Sequence, residues 1–450
     1  MKKPLAILMA VCILLGLLAG CSSQQTAPKE TAAAANTPAA ADTTGETVEL
    51  MLWHMEEVDT RVQRIQAVCD KFNASHPGIH VSTAVQSWDD AYTKIPAAIM
   101  AGNGPDLLAA IPDFATVIYS LGVAQDVSEM VGRLNDKYTF YDAALEPYTY
   151  ADGVFAIPAF AMGQVLWYRA DILAEAGLTP PTTFDELLAC AEKLTDTAAG
   201  KYGIALPGSL SLATDQVIYS FMASAGAKTI IDADNNVTFN TPGTLTAFEY
   251  YSKLMQYSPS DSSSYTWGEP QALLNAGTVA MAIEKGQYLS AFESESGVSA
   301  DNLGCVPMPT YGDNPSTSIY YSNAFMLLSE DARKKEATEV FFDWLLSEEA
   351  YGDFLNAEPG LFVPVTATGA YENWRANEVL AKYPTQVDGL LKATSSGSLF
   401  GFTDGVCMKI GNISGPNLLA QTLQQITING MSVEEAVAWG QTAMESAVAE

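Results

Sequence analysis

Residues 48–111 alternate between short apolar runs and longer segments of helical periodicity. Residues 48–53 read as a buried strand, 60–72 as an amphipathic helix, 80–85 as a second strand, 91–101 as a second helix and 106–111 as a third strand. A helix between successive strands returns the chain to the same end of the sheet, so this order implies parallel pairing with helices on the faces. Pro96 falls inside the second helix, where it either kinks the helix or marks a late start.

The alternation resumes downstream. Residues 155–168 read as one extended stretch, and 183–194 as a helix in which Thr183 and Glu186 form a capping box behind Pro180 and Pro181. Residues 237–239 read as a short strand after the turn Asp234-Asn235-Asn236, and Thr241 caps a helix with Pro242 at its first position. Strands are expected over 278–283 and 324–328, an apolar helix over 336–346, and a second capping box at Ser432 and Glu435 opens the last helix. About 400 residues beyond the N-terminal segment exceed one ordinary core and suit two lobes.

Lys2 and Lys3 precede an apolar run over 5–18, and Ala19 and Gly20 follow it before Cys21. This reads as an export signal, its apolar run being short for roughly 30 Å of hydrocarbon. Leu18-Ala19-Gly20-Cys21 resembles the bacterial lipobox. The resemblance implies cleavage before Cys21, a diacylglyceryl group on its thiol and a membrane anchor at the extracytoplasmic face, since two or more acyl chains at about 0.8 kcal/mol per buried methylene hold durably. Residues 22–46 are Ser, Gln, Thr, Ala and Pro with few bulky apolar side chains, the composition of a flexible tether.

Without the signal the chain keeps 20 basic against 52 acidic residues, a formal charge of −32. Such a field disfavours nucleic acid and anionic lipid as partners. The six arginines also argue against a highly anionic ligand that would want bidentate clamps. Cys69, Cys190, Cys305 and Cys407 contain no CxxC. Cys69 shares a helical stripe with Ile65 and Phe72, and Cys190 lies near Leu187 and Leu194, so buried small apolar residues are preferred over two disulfides.

A secreted carbohydrate-active enzyme is the rival from another class, but a carboxylate pair among 52 acidic residues carries no information. The sequence has no GxSxG elbow, HExxH, P-loop or complete GxGxxG. His54, His76 and His80 are the only histidines and lack zinc-like spacing, so no metal and no cofactor is expected. Asp232, Asp234 and Asn236 imitate a calcium loop, yet Val237 stands where that loop needs glycine, and a hairpin turn is preferred. A surface adhesin would use the same anchor.

Five stretches together resemble the extracellular solute-binding proteins, family 1, of the maltose-binding-like class. They are Leu52-Trp53-His54 with Phe72-Asn73-Ala74-Ser75-His76-Pro77-Gly78-Ile79; Ala101-Gly102-Asn103-Gly104-Pro105-Asp106; Tyr168 to Pro181, ending in Gly177-Leu178-Thr179-Pro180-Pro181 and continuing to Thr183-Phe184-Asp185-Glu186-Leu187; Asn275-Ala276-Gly277-Thr278-Val279-Ala280-Met281; and Gly430-Met431-Ser432-Val433-Glu434-Glu435-Ala436. The resemblance implies an α/β, two-lobed periplasmic-binding-protein fold of type II, with mixed sheets flanked by helices and a ligand cleft between the lobes. It implies a monomer that hands a sugar to the permease subunits of an ATP-binding-cassette importer. A non-sugar solute is the alternative ligand. Carried onto this chain, the first lobe holds 47–159 and 312–360, and the second 160–311 and 361–450. Crossings near 156–160 and 307–312 form the hinge.

A sugar offers hydroxyls at its rim and C–H on its faces, and so calls for flat aromatic platforms beside carboxylates and amides. By the resemblance, His54 lies at the cleft floor while Trp53 turns to the core; Trp88 and Asp89 open the loop after the second strand. Asp113 stands at the carboxyl edge of the third strand, its other reading being a helix cap. Tyr168 matches a position that stacks on sugar, although Arg169 stands where the family usually has Asn. Glu284, Gly286 and Tyr288 come from a Gly-containing turn with an aromatic platform, and Tyr288 is the leading aromatic candidate. Trp267 and Asn323 complete the set, while Phe160 and Phe362 suit hinge packing equally.

Overall fold

The computed structural model describes residues 46–367 and 370–449. The expected export signal, Cys21 and the tether up to residue 45 lie outside the described residues. The strands are β1 (Val48–His54), β2 (Ile79–Val85), β3 (Leu107–Ala110), the small hairpin β4 (Thr149–Tyr150) and β5 (Gly153–Val154), β6 (Ile157–Gly163), β7 (Val165–Arg169), β8 (Tyr202–Ala205), β9 (Val279–Glu284), β10 (Leu303–Val306) and β11 (Tyr320–Leu327). Two larger sheets organise the chain, in the orders β2-β1-β3-β11-β6 and β10-β7-β9-β8. β1 pairs in parallel with β2 and β3, as the alternation requires, and β11 runs antiparallel to β3 and β6.

Leu50 and Leu52 of β1 face Ile65, Val68, Cys69 and Phe72 on the Asp59–Ser75 helix, and Phe341 and Leu345 on the Ala332–Leu345 helix complete this core. The second expected helix starts late, at Lys94, so Pro96 sits in its first turn, where a missing N–H costs nothing. Caps form where the sequence placed them: Thr183 and Glu186 bond reciprocally, Thr241 Oγ1 accepts from Thr244 N at 3.2 Å, and Ser432 and Glu435 repeat the box. The expected strand at 237–239 is only a single bridge between Ile231 and Val237. Its turn is tied by the Asp232 carboxylate, which accepts from the backbone of Asp234 (3.0 Å) and Asn236 (2.8 Å). Among the described residues the four cysteines, Cys69, Cys190, Cys305 and Cys407, are free; burial pushes the Cys69 and Cys305 thiols up to about 12.

The lobe crossings differ from the expected ones. Residues 155–168 divide between the sheets: β6 pairs with β11 as far as Gly163, and β7 joins the other sheet from Val165, so the chain crosses at Gln164. Residues 307–312 stay on the second lobe, where Thr310 N donates to Thr182 O (3.0 Å) and Tyr311 N to Ser224 O (3.2 Å), and the crossing falls at Ile319–Tyr320. Residues 361–363 remain with the first sheet, because Val363 and Ala161 exchange backbone hydrogen bonds. The Gly411–Ser414 turn packs on the Pro112–Ser120 helix of the first lobe.

One helix gathers these crossings. Leu212–Ser224 is buried at all 13 positions, although it carries Thr214, Asp215, Gln216, Ser220 and Ser224. Buried polar groups need partners; Asp215 accepts from Ala420 N and Gln216 from Lys285, while the serines find theirs on the crossing segments. Ser220 Oγ donates to Gln164 Oε1 (2.7 Å) and accepts from Ile319 N (2.9 Å), Ser224 Oγ donates to Thr317 O (2.6 Å), and Tyr219 donates to Leu399 O (2.9 Å).

Candidate functional site

The carboxyl ends of β1, β3 and β9 and the amino half of the antiparallel β11 converge on one cavity of about 280 Å³ between the two sheets. Open α/β sheets place ligands at that edge. Met55, Glu56, Arg61, Trp88 and Ile111 line it from the first lobe, with Tyr321 and Asn323 from β11; Gln216, Thr266, Trp267, Gln271, Lys285 and Gln287 line it from the second. The β6–β11 register shifts between Asn323 and Ala324, opposite Pro158. Pro158 has no N–H to give the ladder, and such irregularities re-aim side chains beside sites.

Two cations are fixed at the cavity wall. Lys285 Nζ donates to Gln216 Oε1 at 2.6 Å and Glu284 Oε1 at 3.0 Å and lies 5.8 Å from the Trp267 ring centre. Behind it, Trp167 Nε1 donates to the carbonyls of Glu284 (3.0 Å) and Lys285 (2.8 Å), which fixes the turn after β9. Across the cavity Arg61 pairs through Nη1 with Glu56 and through Nε with Glu358 at 3.2 Å. Burial works against that guanidinium's charge, but Glu56 and Glu358 outweigh it and raise its pKa.

Three lining residues carry buried polar atoms with no hydrogen-bond partner: the donors Trp267 Nε1 and Asn323 Nδ2, and the acceptor Gln287 Oε1. An unsatisfied buried donor or acceptor costs about 1–3 kcal/mol, and because these three atoms are shut off from solvent, a ligand can satisfy them only as the wall rearranges around it. Trp88 and Trp267 supply flat apolar surface from opposite lobes, each half-buried. Among the described residues no three His, Cys, Asp or Glu side chains are grouped to hold a metal ion.

The sequence pattern of bacterial extracellular solute-binding proteins matches residues 59–352. The chain belongs to that family. An Escherichia coli (strain K12) protein provisionally named as the ABC transporter periplasmic-binding protein YcjN is 27% identical over 392 residues, covering 85% of this chain and 88% of its own. The mannitol-binding protein of Pseudomonas aeruginosa is 26% identical over 310 residues, 67% of this chain and 69% of its own. Among solved structures, an ABC transporter solute-binding protein from Agrobacterium radiobacter K84 in complex with ribitol superposes with a TM-score of 0.77 at 21% identity, covering 89% of this chain and 99% of that one. The fold is the two-lobed type II periplasmic-binding-protein fold, and the family is one of extracytoplasmic substrate-binding proteins rather than enzymes. Among the described residues no helix is long and apolar enough to cross a membrane.

Within this solute-binding protein the structure brings Trp88, Trp267 and Asn323 together at the cavity, with Glu284 directly behind Lys285. Other candidates stand elsewhere. His54 lies beneath the cavity floor in an apolar layer with Phe160, Phe354 and Phe362; its Nδ1 accepts from Glu56 N (3.2 Å), and burial lowers its pKa despite the opposing pull of Glu56. Asp89 is exposed on a 3-10 turn. Asp113 is fully buried in a helix's first turn, is not its cap, and accepts from Tyr92 at 2.5 Å; burial raises its pKa against that bond.

Tyr168 is half-buried over Gly304 of β10, where any side chain would overlap its ring. Its neighbour Arg169 reaches Asp171 (2.6 Å) and the Leu274 and Asn275 carbonyls, clamping β7 to the Gly268–Asn275 helix. Gly286 packs against the Gly360 carbonyl too closely for a Cβ. Tyr288 is fully buried, stacked on Trp167 with ring centres 5.4 Å apart, and does not line the cavity. The sequence reading did not select Arg61, Gln216, Lys285 or Gln287. Lys285 and Gln287 interleave with Glu284, Gly286 and Tyr288, so the segment was found and the side chains facing the cavity were not.

Proposed function

We propose that the protein is the substrate-binding lipoprotein of an ATP-binding-cassette importer, tethered by acyl groups on Cys21, and that it captures a sugar or polyol between its lobes without chemical change. The observation that carries this reading is the cavity wall: two tryptophan faces from opposite lobes, with free donors on Trp267 and Asn323 and a free acceptor on Gln287. Polyhydroxyl compounds both accept and donate at every hydroxyl and present C–H to aromatic rings. A mannitol-binding relative and a ribitol-bound structural neighbour support the same class. Ligand held by both lobes stabilises the closed arrangement, which the permease then recognises.

A thermal-shift screen of the full-length protein against sugars, alditols, amino acids, peptides and polyamines tests this. Ligand at 100 times its Kd adds about 2.7 kcal/mol, and a sugar or alditol is expected to give the rise in Tm. Stabilisation by amino acids or peptides alone would overturn the substrate class, and cleavage of a glycan would overturn binding without chemistry. Trp88→Ala and Trp267→Ala are each expected to weaken the ligand found by about 2 kcal/mol, roughly thirtyfold in Kd, with the fold intact by circular dichroism. Cys21→Ala is expected to release the protein from the membrane fraction; retention there would refute the lipid anchor.

A further inference from the structure

Both cations at the cavity are already neutralised from within the chain. Arg61 spends Nη1 on Glu56 and Nε on Glu358, and the second Glu358 oxygen accepts from the Ser290 hydroxyl across the cleft. Lys285 spends two of its donors on Glu284 and Gln216. Glu57 adds a further, exposed carboxylate to the lining. Glu56, Glu57, Glu284 and Glu358 therefore stand against only Arg61 and Lys285, four negative charges to two positive ones.

An arginine recognises carboxylate or phosphate by presenting its planar fork bidentately, which demands that the fork be free. Here both sides of the fork meet carboxylates of the chain itself, and Glu358 is buried, so it cannot swing into solvent to make room. An entering anion would find uncommitted amide and indole groups but two cations whose charges already face carboxylates of the chain, in a site of net negative charge. Specificity of this kind comes from repulsion built against the wrong ligand as much as from contacts to the right one.

We infer that the site selects a neutral polyhydroxyl ligand against its carboxylate or phosphate counterpart, and that Glu56 and Glu358 are specificity determinants because they occupy Arg61. This rests on the reading of the cavity as a sugar or polyol site. The test is calorimetric titration of the full-length protein with matched pairs: mannitol and mannonate, glucose and glucuronate, glucose and glucose 6-phosphate. The neutral member of a bound pair is expected to bind at least about tenfold more tightly, the equivalent of about 1.4 kcal/mol.

Glu358→Gln and Glu56→Gln, which keep a hydrogen-bonding group beside Arg61, are expected to shrink that ratio about tenfold by strengthening the acid. An acid that binds the wild type as well as its neutral partner overturns the inference, as does a ratio unchanged in both variants. If neither member of any pair binds and an amino acid or peptide does, the sugar reading itself falls, and this inference with it. The wild-type ratio is decisive even if either variant fails to fold.

Discussion

Lys285→Met is expected to destabilise the protein by about 3–5 kcal/mol and to abolish detectable ligand binding. The stability loss follows from Glu284, which is 2% exposed. Its Oε1 accepts from Lys285 Nζ and from the Lys285 backbone N–H at 2.9 Å, and removal of the ammonium leaves a buried carboxylate with that one amide. Breaking a buried pair from one side costs several kcal/mol because the remaining charge is uncompensated. Gln216 Oε1 loses its donor in the same step.

The double variant Glu284→Gln with Lys285→Met separates the two effects. It removes the stranded charge and is expected to recover most of the lost stability in urea denaturation. Binding is expected to stay lost, since the ammonium beside Trp267 is absent in both variants. If Lys285→Met unfolds within 1 kcal/mol of the wild type, Glu284 has found a proton or water and the pair is not a structural constraint. If the double variant regains binding, Lys285 touches no ligand.

Much of the frame could be read from residue order, because each inference needed only neighbours in the chain. The β1 to β3 alternation, the late helix start forced by Pro96, and the caps at Thr183, Thr241 and Ser432 are all local. The lobe crossings are not. Residues 155–168 are apolar almost throughout, and a strand buried on both faces has the same pattern in either sheet, so the one local interruption, Gly163-Gln164, does not by itself say that the chain changes sheet. What marks it is Ser220, on a helix 56 residues away.

The site divides along the same line. Trp88 could be picked out because a large aromatic in a polar loop is hard to explain as packing, and Trp267 and Asn323 by their places in a Ser- and Tyr-rich loop and after Tyr320-Tyr321. Arg61 and Lys285 could not, since a charged side chain in an amphipathic helix or after a strand ordinarily reads as solvated surface. Arg61 is held at the cavity by Glu56 nearby and by Glu358, 297 positions later. Pairings of that separation leave no trace in one sequence.

Tyr288 is where reading by position and reading by packing diverge most, and substitution there is expected to act on stability. Its ring is fully buried and lies parallel to Trp167, the residue whose indole N–H holds the Glu284 and Lys285 carbonyls. Tyr288→Ala removes that support and opens a cavity behind the turn, a loss of about 3–5 kcal/mol. Affinity falls too, but as a consequence of a loosened Lys285. Tyr288→Phe discriminates: the hydroxyl is buried without a partner, so deleting it removes a group that costs about 1–3 kcal/mol to leave unsatisfied. The Phe variant is therefore expected to be as stable as the wild type or more so, with Kd unchanged. A Phe variant that binds tenfold more weakly at full stability would put the hydroxyl on the ligand. An Ala variant that keeps its stability but loses its ligand would return the whole ring to the site.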